Sequence, residues 1–100
     1  MIDLQKLQKE AWETKLAKKF NTTDVHLELC LIQDELTEVF RAYQKKLPVG
    51  EEIADVVIYC LGLAEMLHVD LESEIVKKME RNKKREYQTI DGVLTRTKEA

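Results

Sequence analysis

Nine consecutive residues, Val56–Ala64 (VVIYCLGLA), carry no charge in a 100-residue chain in which 35% of residues are charged. The run is far short of the roughly 20 residues that a membrane span needs. Glu51, Glu52 and Asp55 precede it and Glu65 follows it. The segment from about Glu51 to Leu67 is therefore expected to be a helix that is apolar nearly all round, buried on several sides. A chain of this length buries only about two thirds of its unfolded surface. Four short helices do not easily enclose one of their own number. The run thus predicts a helical bundle completed by further copies of the chain, a dimer or a tetramer.

The remaining sequence fits the same class. Charges of both signs recur three and four residues apart, and three Gly and one Pro are too few for a turn-rich β protein. A first helix is predicted over about Asp3–Lys19, with Leu4, Leu7, Ala11, Trp12, Leu16 and Phe20 as its apolar stripe. Asn21-Thr22-Thr23 breaks it, and either threonine can N-cap a second helix over about Asp24–Lys46. Pro48 and Gly50 separate that helix from the apolar one. Asp70 caps a fourth helix reaching about Glu86. The expected organisation is an all-α domain over residues 1–86 and a tail over 87–100. Within that tail, Thr89–Thr95 is either an Asp-Gly hairpin or a frayed end. The start, MIDLQKLQKE, lacks the make-up of a signal peptide. Cys30, Cys60, His26 and His68 are too scattered for a zinc finger or a disulfide framework. A reducing, cytoplasmic setting is expected.

The second helix places Val25, Leu29, Ile32, Leu36, Val39, Phe40 and Tyr43 on its core stripe. Glu28, Glu35 and Glu38 fall beside that stripe rather than opposite it. Glu52 and Asp55, three apart, share one face of the third helix, which continues through Tyr59, Gly62 and Met66. Acid pairs at this spacing are common on solvated helices, but two pairs bordering apolar surface repel unless cations neutralise them. Oxygen-only ligands point to Mg²⁺, with Mn²⁺ as the alternative. Glu28 reads as a surface residue or a support to the ligands. His26 is expected to be exposed, and both cysteines to be packing residues.

Residues 77–86 hold Lys77, Lys78, Arg81, Lys83, Lys84 and Arg85 against Glu80 and Glu86. The helix macrodipole accounts for most of these cations. It does not account for Lys78, Asn82 and Arg85, which continue the inward stripe of Leu71 and Ile75. Cations facing a carboxylate-held metal suit a polyphosphate. The net charge of −3 and the acidic second helix argue against nucleic acid as the partner.

Leu31–Glu38, Glu51–Tyr59 and Lys78–Arg85 together resemble the MazG-like nucleotide pyrophosphohydrolases of the all-α NTP pyrophosphatase superfamily, over roughly Trp12–Tyr87. The resemblance implies Mg²⁺-dependent hydrolysis of a nucleoside triphosphate to the monophosphate and pyrophosphate. Glu35, Glu38, Glu52 and Asp55 would hold the metal and carry the chemistry. Lys78, Asn82 and Arg85 would bind phosphate, from the neighbouring subunit's side. Trp12 is a candidate for base stacking, against a role in the core or an interface. The arginine segment continues as Glu86-Tyr87-Gln88 and lacks the proline-containing stretch of many relatives. The competing reading is a non-catalytic module of the same fold that binds nucleotides or a protein partner.

Overall fold

The computed structural model describes residues 1–98. Four helices are followed by a hairpin: α1 (Leu4–Ala17), α2 (Val25–Gln44), α3 (Gly50–Met66), α4 (Leu71–Lys84), β1 (Glu86–Ile90) and β2 (Val93–Lys98). Three helices begin on aspartate. Asp3, Asp24 and Asp70 accept from the backbone N–H groups of Lys6, Leu27 and Ser73, satisfying donors the helix leaves open. Asp24 therefore caps α2, in place of the threonines before it. Asn21 fixes the approach, its Oδ1 accepting from the Asp24 N–H at 3.0 Å.

Three helices end alike. Lys19, Lys46 and His68 take the left-handed conformation, with φ of 58°, 59° and 56°. The next residue's N–H then donates back to the final turn: Phe20 to Lys15, Leu47 to Ala42 and Val69 to Ala64. This is the Schellman ending, made with Lys and His where glycine is usual.

Packing centres on α3, which lies against both α1 and α2, while α4 docks mainly on α1. Gln8 on α1 secures the turn between α3 and α4. Its Nε2 donates to Glu65 Oε1 and to the Val69 carbonyl, and its Oε1 accepts from the Leu71 N–H. Leu4 N–H donates to Glu72 Oε1 at the start of α4.

Among the described residues the buried hydrophobic ones are Ala42, Leu61 and Ala64. The stripe expected to form the core of α2 is largely uncovered, Leu36 being 59% and Phe40 61% exposed. Ile53, Val57 and Ile58 on α3 are uncovered too, as are Leu16 on α1 and Phe20 just beyond it. The reason is geometric: α3 has mainly α1 and α2 against it, and α2 packs mainly on α3, so one chain leaves part of each helix uncovered. The radius of gyration is 16.9 Å, against about 13 Å for a compact chain of this length.

Residues 86–98 form the hairpin and not a frayed end, and the last two residues of the tail lie outside the described residues. β1 and β2 pair antiparallel from Ile90↔Val93 to Glu86↔Lys98, with an irregularity at Glu86/Tyr87. Asp91 and Gly92 both have positive φ, the pairing a tight two-residue turn requires.

Candidate metal centre

Glu35 on α2 meets Glu52 and Asp55 on α3. One carboxylate oxygen from each lies within 4.8 Å of the others. All three are half-buried. Glu52 and Asp55 share a face because they are three residues apart, and the α2–α3 packing carries Glu35 to that face. The crowding acts on Glu35, whose pKa is raised first by lost hydration, then by the charges of Asp55, Glu52, Glu38 and Asp34. A set of three oxygens at this separation suits a hard divalent ion such as Mg²⁺ or Mn²⁺.

Glu38 stands apart from the trio. It is half-exposed, and its Oε1 accepts from Arg41 Nη1 at 3.2 Å. One helical turn beyond Glu35, its charge still reaches the trio.

Glu28, two turns before Glu35, has no solvent exposure, so it is not a surface residue. Lys15 on α1 donates to its Oε2 at 2.7 Å, and Asn21 Nδ2 donates to its Oε1 at 3.2 Å. Lys15 is itself buried and runs across Gly62 on α3. A Cβ at Gly62 would stand 2.9 Å from Lys15 Cδ, so glycine makes room for the lysine inside a helix. The ammonium lies 5.8 Å from the centre of the Tyr59 ring. Tyr59 follows Asp55 by one turn, and its hydroxyl pKa is raised by burial and then by Glu35, Glu28 and Asp55. Tyr59 thus stands between the buried ion pair and the open trio.

Tyr59 and Lys15 also line a groove of about 450 Å³ between α1 and α3, closed by Leu7, Ala11, Phe20, Ile58 and Leu61, with Glu10 and Thr14. Trp12 is half-buried and does not line it. Lys15, Asn21 and the groove escaped sequence reasoning. One signal for Lys15 was present: Leu4, Gln8, Ala11 and Lys15 recur at 4, 3 and 4, which is the buried face of α1. The stripe through Leu7, Leu16 and Phe20 instead faces outward or into the groove.

Lys78 and Asn82 share one face of α4, and Arg85, the extended residue that ends the helix, donates from Nη1 to Asn82 Oδ1 at 3.0 Å. Lys78 is exposed, and its pKa is lowered by lost hydration and then by Arg85, Arg81 and Arg96. The charges acting on Lys78 include none of the acidic trio, and those acting on Glu35 include no cation. His26 is exposed, as expected. Cys30 is exposed and not packed, whereas Cys60 is half-buried and its thiol pKa is raised by that burial.

No helix among the described residues is long and apolar enough to cross a membrane. Comparison with curated proteins and with solved structures finds no match. A family model does match, over residues 24–98, which span α2, α3, α4 and the hairpin and leave α1 outside. The matched part contains the carboxylate trio and the Lys78–Asn82–Arg85 set, and by that match the chain belongs to the MazG-like family.

Proposed function

We propose that the protein is a Mg²⁺-dependent nucleoside triphosphate pyrophosphohydrolase. The observation that carries the reading is the convergence of Glu35, Glu52 and Asp55 from two helices. Glu35, Glu52 and Asp55 would hold the cation at the α2–α3 face, where it would supply Lewis acidity toward the triphosphate and a bound water. Glu38, outside the trio yet beside it, accepts the proton of the attacking water. The water oxygen bonds to one phosphorus of the α–β anhydride while the bond to the bridging oxygen breaks. Monophosphate and pyrophosphate leave. The groove beside Tyr59 takes the nucleoside, since its volume suits a small ligand and Tyr59 joins it to the carboxylates.

Lys78, Asn82 and Arg85 bind phosphate oxygens of substrate held at the trio of a second copy. The uncovered faces of α2 and α3 support this arrangement, since they offer the apolar surface that a dimer or tetramer would bury. The substrate is a soluble nucleotide, and a cytoplasmic setting suits it.

Incubation with each NTP and dNTP in the presence of Mg²⁺, with product analysis, tests the reading. It predicts equimolar monophosphate and pyrophosphate. A non-catalytic nucleotide-binding module would bind without releasing pyrophosphate. Release of orthophosphate and diphosphate would identify a different bond as the target.

A further inference from the structure

The groove has one charged donor buried in its wall, and that donor is incompletely used. An ammonium has three N–H donors. Lys15 gives one to Glu28 Oε2 at 2.7 Å, and among the described residues no other acceptor takes the remaining two. The Tyr59 ring lies near the ammonium, but at 5.8 Å it provides a face and not an acceptor lone pair. The side chain is 10% exposed, and the space it borders is the groove. The rest of that groove is mainly aliphatic and aromatic, which suits a flat, largely apolar ring. The other oxygen of Glu28 accepts from Asn21 Nδ2 at 3.2 Å.

We propose that Lys15 is a specificity-determining residue: it donates a hydrogen bond from the groove wall to an exocyclic carbonyl of the bound nucleobase. This rests on the nucleoside occupying the groove. Guanine, hypoxanthine, cytosine, uracil and thymine carry such a carbonyl, whereas adenine presents an amino donor that faces the ammonium with like polarity. A charge-assisted bond in a poorly hydrated wall is strong, and a base that leaves the donor unmet is rejected. The assignment does not follow from family membership, because Lys15 lies outside the matched residues.

Inosine and adenosine form a close pair, differing at the 6-position in carbonyl against amino group and at N1 in N–H donor against acceptor. Equilibrium binding of these two nucleosides, without metal or phosphate, isolates the groove from the carboxylate trio. The wild-type chain is expected to favour inosine by about tenfold or more. The paired variant Lys15→Met/Glu28→Gln removes both buried charges, and the amide that replaces the Glu28 carboxylate keeps an oxygen to accept from Asn21. This variant should keep its helical circular dichroism and lose the preference. Equal binding of the two nucleosides by the wild type overturns the proposal without recourse to any variant. So does a preference that survives in the folded paired variant. A preference for inosine in a chain that hydrolyses no nucleotide would retain the Lys15 assignment and remove the pyrophosphohydrolase reading.

Discussion

Glu28 and Glu35 are the same residue type, two turns apart on one helix, and they meet opposite fates. Glu28 is completely buried, yet it has a lysine at 2.7 Å and an amide on its second oxygen. Glu35 is only half-buried, yet the charges acting on it are all negative. The first carboxylate is satisfied by the chain itself. The second is incomplete until something positive arrives from outside. Burial alone therefore does not mark a functional acid; the distinguishing feature is whether the fold supplies the counter-charge.

Neutralising members of each group in turn should give the largest effects. Glu52→Gln and Asp55→Asn should lower kcat/KM by at least about a hundredfold while leaving the chain folded. Lys15→Met alone should act on stability, costing about 3–5 kcal/mol in chemical denaturation because Glu28 is left charged and buried. Replacing both members of the pair together should recover most of that loss. Mg²⁺ at a hundred times its dissociation constant should raise stability by about 2.7 kcal/mol in the wild type, and by much less in Glu35→Gln.

Acid titration probes the same difference between the two glutamates. The folded-state pKa of Glu35 lies above its ordinary value of 4.5. A raised carboxylate pKa means that the folded state binds its proton more tightly than the unfolded state does. The stability contributed by protonation is full below 4.5 and is lost as pH rises through the raised value. The metal-free protein should therefore lose stability across that window, and Glu35→Gln should flatten the loss. Metal binding should tighten over the same window, as proton and cation compete for one group. The smallest effect expected is local: Lys46→Gly, at a left-handed helix ending, should stabilise by about 0.5–1 kcal/mol.

Much of this was legible in the residues. Asp70 announced its helix, and Glu52-x-x-Asp55 announced a shared face, because both depend on spacing within a single helix. Asp91-Gly92 marked a turn, but nothing local decided between a hairpin and a frayed end. The structure decides it through cross-strand pairing. The Lys15–Glu28 pair was missed because each member looks like an ordinary surface charge until α1 and α2 are brought together. Helical spacing alone groups Glu38 with the trio, whereas in the structure its carboxylate is half-exposed and pairs with Arg41, three residues on. The apolar stripe of α2 lies along one face of the helix, and a single chain leaves Leu36 and Phe40 on it more than half exposed. Pattern fixes which residues share a face, and only the number of available neighbours decides whether that face is covered.

Mn²⁺ binding, followed by calorimetry or electron paramagnetic resonance across single substitutions, asks whether Glu35, Glu52 and Asp55 form one cation site. The wild type should bind Mn²⁺, and Glu35→Gln, Glu52→Gln and Asp55→Asn should each weaken binding sharply. Glu38→Gln should weaken it little, and Lys15→Met/Glu28→Gln should leave it near wild type. Unchanged affinity in Glu35→Gln, or a greater loss in Glu38→Gln than in the three trio variants, would contradict the assignment of the site.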